Sequence, residues 1–294
     1  MCSQHVATVT FATQPKAERL LQRRIVDGLK SYRELEARIS ALASKQERGE
    51  IFEVFAEGYL ATLAVEKAKQ VWPGPRVPHS LRKRLALPGA DKGVDGVFET
   101  QLGKYHANQA KFRTGRTSLT WDELSTFIGL ADQVDARLLI TNCDSFSNVL
   151  EARTGFYAIT GNDLDKLEPQ DFEVIRGWLE GARVERQPKT PLAHQAEALD
   201  NILSALCDHD RATALMACGT GKTLLALWVA ERMGAQNILV FVPSLALLRQ
   251  TLHEWSRETS WRSFAHLCVC SDPTVTKPDG DELEAAGKVV VHRS

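Results

Sequence analysis

The chain has 294 residues, too many for one small domain and enough for two of ordinary size. Hydrophobic residues at 44% and charged residues at 25% exclude wholesale disorder, and no apolar run approaches the roughly 20 residues that a helical membrane crossing needs. Lys plus Arg number 36 against 37 Asp plus Glu, a net charge of -1, so any surface for nucleic acid must be a local patch.

The first residues, Met-Cys-Ser-Gln-His, lack the charged and apolar regions of a secretory leader. Six scattered cysteines contain no pair of metal-ligand spacing, and Cys268-Val-Cys270 reads as part of a β-strand. A reduced, cytoplasmic protein is expected.

In chain order, Leu20, Leu21, Ile25, Leu29, Leu35, Ile39 and Leu42 recur at threes and fours, which predicts amphipathic helix over the first forty-odd residues. Gly49 is expected to interrupt it before a second helix from about 50 to 69, with Phe52, Phe55, Leu60, Leu63 and Ala64 inward. From Val71 to Gly89 four prolines and Arg76, Arg82, Lys83 and Arg84 predict a surface connection with a basic streak. Strands are expected at 94–99, 105–112 and 137–141, with a helix at 121–133. Thr120 and Glu123 form a capping-box pattern at the start of that helix, and Trp121 reads as packing. A helix at 169–181 precedes a polar linker. Beyond it, helices at 193–206, 223–233 and 246–256 alternate with strands at 212–216 and 237–242, the pattern of a parallel sheet.

The strongest local signal is Met216-Ala-Cys-Gly-Thr-Gly-Lys-Thr223. Gly219 and Gly221 permit a backbone that turns its N–H groups toward a polyphosphate, with Thr220 between them. The helix that follows aims its positive end at the same anion. Lys222 supplies a charge for the phosphates and Thr223 a hydroxyl for Mg²⁺. Only the first glycine of the phosphate-loop pattern is replaced, by Met216. This segment resembles motif I of superfamily-two helicases and translocases. Pro191-Leu-Ala-His-Gln195 is similar to the family's adenine-reading segment, which implies that Gln195 contacts the base. Val240-Phe-Val-Pro243-Ser244 is similar to motif Ia, which touches the DNA backbone; Ser244 read alone is a helix N-cap. No later Asp-Glu pair follows an apolar strand, although hydrolysis needs such an acid to hold Mg²⁺. The expectation is the front of a longer motor, binding ATP and turning it over poorly.

A second constellation lies in Gly93-Val-Asp95-Gly-Val and Gln109-Ala-Lys111. Gln109 and Lys111 are two apart and share a strand face, which a returning hairpin can set beside Asp95. An acid, an amide oxygen and a lysine suit metal-assisted phosphodiester hydrolysis, since Mg²⁺ prefers oxygen ligands. By spacing alone they more often describe a solvated face. With Arg48-Gly49-Glu-Ile-Phe52-Glu53, however, these segments resemble the Mrr-type restriction endonuclease domain, the D…QxK branch of the PD-(D/E)xK nucleases. The resemblance implies that Asp95 and Gln109 bind Mg²⁺ or Mn²⁺, that Lys111 is the catalytic lysine, and that Glu53 is the helical acid, with Glu57 one turn further as the weaker choice. His106 is expected at a surface or hairpin position, and Lys104, Arg113 and Arg116 are cations that DNA phosphates or solvent alone would explain.

The expected architecture is α/β: a helical extension at 1–48, a restriction-endonuclease-like mixed sheet domain at 49–182, a linker at 183–190, and an incomplete RecA-like parallel-sheet lobe at 191–294. The implied function is Mg²⁺-dependent cleavage of double-stranded DNA within an ATP-dependent restriction or phage-defence nuclease-translocase, acting with further helicase and target-recognition regions. The alternatives are a catalytically silent DNA-binding or assembly module and a nucleotide-binding regulator.

Overall fold

A computed structural model describes residues 16–63, 68–88, 93–100, 103–147, 149, 155–182, 184–261, 266–270 and 288–292. The chain divides into two compact units, with the break between Arg186 and Gln187.

The first unit opens with three helices, α1 (Ala17–Gln22), α2 (Tyr32–Ser40) and α3 (Lys45–Thr62). Ser31 and Ser44 cap α2 and α3, each hydroxyl accepting the N–H of a glutamate three residues on. Gly49 therefore lies inside α3 and does not divide it: the cap at Ser44 starts the helix earlier, offsetting the ~1 kcal/mol that an internal glycine costs. The helices of the expected extension also lie in the main core. Leu20, Leu35 and Ile39 are buried in one cluster with Phe52, Phe55, Phe98, Leu138 and Ile140, because an apolar helix stripe is stable only against another apolar face. Ala64 lies outside the described residues.

The sheet runs β1 (Gln70–Pro73), β2 (Gly96–Glu99), β3 (Tyr105–Lys111), β4 (Ala136–Thr141) and β5 (Phe156–Ile159), in that spatial order. The β1–β2 and β2–β3 pairs are antiparallel and the β3–β4 and β4–β5 pairs parallel. β1 and the short helix α4 (His79–Arg84) occupy the stretch read as a surface connection. Pro73 is tolerated there because β1 is an edge strand. Three further helices complete the unit: α5 (Trp121–Leu130), α6 (Gly161–Leu164) and α7 (Pro169–Leu179). Helices α3 and α7 cover one face of the sheet, against Phe98, Ala110, Leu138 and Ile140. Helices α4 and α5 cover the other, against Val97, Ala107 and Leu139. The helices α3 and α7 meet at Gly58, where a Cβ would fall 2.9 Å from Ile175 Cγ2.

At the end of β4 a charge cluster ties α2 to α6. Arg116, with its side chain 9% exposed, donates from Nε to both oxygens of Glu36 at 2.9 Å and from its Nη atoms to Asp165 at 2.8 and 3.0 Å. Burial opposes the guanidinium charge, and the bonds to Glu36 and Asp165 more than restore it, raising the pKa. The buried Asn142 amide binds both polar groups of the Arg113 backbone, at 2.8 and 2.7 Å, and donates to Glu36 at 2.6 Å.

The second unit holds α8 (Ala193–Asp208), α9 (Lys222–Arg232) and α10 (Leu245–Glu258), with β6 (His266–Cys270) antiparallel to β7 (Lys288–His292). Cys268 and Cys270 thus lie on a strand. The helices match the alternation expected of a phosphate-loop lobe, but 212–216 and 237–242 form no strand. A parallel strand exists only through its ladder partners. Among the described residues neither stretch has one, and Leu215, Leu239 and Phe241 stand exposed. No described helix is long and apolar enough to cross a membrane.

Burial alone would raise the Asp165 carboxyl pKa, but donation from Arg116 and Arg33 outweighs it and holds the group below the ordinary aspartate value. Its contribution is therefore complete above the unfolded pKa of about 3.9 and is lost as pH falls through the lower folded value. Asp165→Asn is expected to be less stable than wild type by about 1.5–3 kcal/mol at neutral pH, with the gap closing in acid, by urea denaturation across pH.

Candidate functional site

The β2–β3 ladder builds the first site. Its last pair sets Gly96 opposite Asn108, so the next residue, Asp95, falls opposite Gln109. Asp95 N–H donates to Asn108 O at 3.0 Å, and Asp95 Oδ2 accepts the N–H of Ala110 at 2.7 Å. The carboxylate thus completes a ladder that the β2 backbone no longer reaches. Gln109 is 2% exposed, and its Nε2 donates to Gly93 O at 2.8 Å. Gly93 has φ +78°, a left-handed backbone that favours glycine. Lys111 ends β3 on the same strand face as Gln109, half-buried and opposite Thr141 of β4. Asp95, Gln109 and Lys111 are therefore brought together.

Gln109 Oε1 is buried without a hydrogen-bond partner, a state that costs about 1–3 kcal/mol. Because Nε2 is held by Gly93, the amide cannot flip to satisfy this oxygen without losing that bond. A buried amide oxygen beside a carboxylate fits a hard divalent cation with oxygen ligands. Among the described residues no group of three His, Cys, Asp or Glu could hold a metal. A cation here would thus depend on the Asp95–Gln109 pair and on oxygens from substrate or water.

The helical acids stand apart from this trio. α3 covers the opposite sheet face, where Phe52 meets Phe112 with ring centroids 5.5 Å apart. On α3, Glu53 is 2.9 Å from Lys16, and Glu57 is 4% exposed.

Three other expectations change. His106 is fully buried, not a surface residue: it stacks edge-on to Phe98 and Tyr157, with Nδ1 3.0 Å from the Tyr157 hydroxyl, because β3 is an interior strand covered on both faces. Arg116 belongs to the internal charge cluster, and Arg113 pairs with Glu123. Neither is an open phosphate contact. Trp121 is half-buried against the core, behind the Thr120–Glu123 capping box.

In the second unit, Gly219 and Gly221 have φ of +79° and +82°, and Gly221 caps α9. Lys222 donates to Met216 O and Ala217 O at 3.0 and 3.1 Å, and Thr220 Oγ1 donates to Ala217 O at 2.7 Å. Gln195 is buried and joined to this loop: Nε2 donates to Thr220 O at 2.9 Å while Oε1 accepts Leu192 N–H at 2.9 Å. Thr223 is half-buried, and its carbonyl accepts Trp255 Nε1–H at 2.9 Å, a brace from α10 that no local pattern announces. Ser244 Oγ caps α10 by accepting Leu247 N–H.

These two sites define an α/β chain that carries a nuclease-type carboxylate–amide–lysine grouping in one unit and a phosphate loop in the other. Residues 61–175 match a restriction endonuclease family, Mrr_cat_2, and residues 188–291 match the family of the type III restriction enzyme, res subunit, ResIII. The chain joins a restriction endonuclease domain to a helicase-like domain. Its fold is similar to the ATP-dependent Type ISP restriction-modification enzyme LlaBIII bound to DNA, with a TM-score of 0.57 and 25% identity over 76% of this chain. The chain spans 15% of that enzyme's length. No curated protein matches it.

If Gln109 is kept for a cation and not for stability, Gln109→Leu should unfold within about 1 kcal/mol of wild type in EDTA, or later, because removing the orphan oxygen offsets the missing bond to Gly93. Added Mn²⁺ should then stabilise wild type and leave the variant unchanged, read by thermal melting.

Proposed function

We propose that the chain is a Mg²⁺-dependent DNA endonuclease with Asp95, Gln109 and Lys111 at its centre, acting as part of an ATP-dependent restriction nuclease-translocase. The observation that carries this reading is the buried, unpartnered Gln109 Oε1 opposite Asp95, with Lys111 on the same strand face. Asp95 and Gln109 would hold the cation. When bound, Mg²⁺ supplies a Lewis acid for the scissile phosphate and makes water a better nucleophile. Asp95 contributes the site's negative charge, with Ala110 N–H fixing its carboxylate. Gln109 contributes an oriented, neutral oxygen, which leaves the site one charge short of a two-carboxylate pair. Lys111 offsets negative charge on the phosphate and orients the attacking water. Glu53, the helical acid that the family resemblance implies, is paired with Lys16 on the opposite sheet face and has no part in this reading.

In the second unit, ATP with Mg²⁺ would occupy Gly219–Thr223. Lys222 would exchange the Met216 and Ala217 carbonyls for phosphate oxygens, Thr223 would offer its hydroxyl to the cation, and Gln195 would contact adenine while keeping its bond to the loop. Double-stranded DNA and the further regions of a larger restriction enzyme are the partners of this reading.

Supercoiled plasmid with Mg²⁺ or Mn²⁺ tests it. Wild type should nick the plasmid, and Lys111→Ala should lower the rate at least ~10²-fold, the usual scale for losing a group that stabilises charge in the transition state. Nicking by neither protein at any metal concentration would overturn it and favour the silent-module alternative.

A further inference from the structure

The basic streak between Gln70 and Pro88 has no part in the chemistry above, and its position gives it one. This stretch contains Arg76, Arg82, Lys83 and Arg84 and no acidic residue, in a chain of net charge -1. It forms β1, the turn Gly74–Arg76 and α4, and α4 packs on the sheet face that also bears Gln109 and Lys111. Its cations divide by role. Arg82 is half-buried and spends its guanidinium on the carbonyls of Gly74 and Pro88, bracing the segment. Arg76, Lys83 and Arg84 are exposed.

Two contacts fix this segment against the candidate site. Gly74 N–H donates to Asp95 O at 2.7 Å, and a Cβ at Gly74 would lie 3.1 Å from the same oxygen, a close approach that favours glycine. Arg76 is thus two residues from a backbone bond to the proposed metal ligand. At the other end, the Arg84 guanidinium carbon lies 4.2 Å from the Tyr105 ring centroid, and Tyr105 stacks on Trp72 at 6.3 Å. Such a stack restrains the arginine while leaving its in-plane donors available. Tyr105 precedes Gln109 by four residues on the same strand face, ~13 Å at the strand rise, or about four base pairs of duplex.

From these observations we infer that the turn Gly74–Arg76 and α4 form a platform for the DNA phosphate backbone, with Arg76, Lys83 and Arg84 meeting the phosphates, which sets the duplex beside the strand ends that carry Asp95 and Lys111. The inference rests on the nuclease reading for its purpose. It is tested by binding alone, so the two can fail separately. The readings of this patch as a solvated face or as a general attraction to polyanions are outcomes of the same test.

The experiment uses the full chain, a labelled duplex and fluorescence anisotropy in EDTA over a range of NaCl concentrations. The slope of log affinity against log salt changes by about 0.9 for each phosphate that the protein ceases to neutralise. The triple variant Arg76→Ala, Lys83→Ala, Arg84→Ala should therefore shallow the slope by about 2 to 3. A charge-matched variant of exposed cations outside the segment, Arg24→Ala, Lys30→Ala, Lys45→Ala, should leave it unchanged. Thermal melts of both variants show that they fold. An unchanged slope in the first variant, or an equal fall in both, overturns the platform. Failure of wild type to nick plasmid would overturn the nuclease reading and leave the slope comparison intact.

Discussion

The backbone of β3 turns its polar groups at Asn108 and Ala110 toward β2, and β2 ends one residue too soon to meet them all. Asp95 closes that gap with its own N–H to Asn108 and its carboxylate to Ala110. One residue therefore finishes the ladder and supplies the acid. Opposite it, Gln109 is held by Gly93 so that an oxygen is buried with nothing to accept from. A core built only for stability would place an apolar side chain there, because an unmet acceptor costs more than a missing bond. Local inconsistency of this kind is expected where function has set the residue.

The charges of the first unit divide by burial. Arg116, Glu36 and Asp165, with Asn142 behind them, hold α2, α6 and the end of β4 together, and Arg116 keeps φ +53° within that cluster. A non-glycine residue in that region costs roughly 1 kcal/mol or more, which its charge-assisted bonds offset. The same helices place the N-terminal segment in the main core, so the first unit includes residues that their sequence alone sets apart as an appendage.

The glycine loop before α9 is held by bonds within itself and from two other segments. Lys222 rests on two carbonyls of the loop, Gln195 ties the loop to the turn before α8, and Trp255 ties the start of α9 to α10. The last two of these bonds link segments of separate sequence to the loop and to the helix that follows it.

Much of this was legible in the sequence. Periods of 3.6 and 2 are local properties, so the helices at α3, α5, α7, α8, α9 and α10 and the strands β2, β3 and β4 lie close to their expected places. The phosphate loop could be read because its glycines and lysine act within eight residues, and the pairing of Asp95 with the Gln109–Lys111 face followed from strand alternation and one hairpin. Other features depended on partners far away in the chain. Arg116 meets Glu36 across 80 positions, which no window reveals, and His106 is buried only because β4 and β5 complete the sheet beyond it. β1 exists because β2 offers it an edge, while the apolar runs at 212–216 and 237–242 find no edge among the described residues and are irregular. Local periodicity specifies what a segment is able to be. Which segments find a hydrogen-bonding or ionic partner is a property of the folded chain alone.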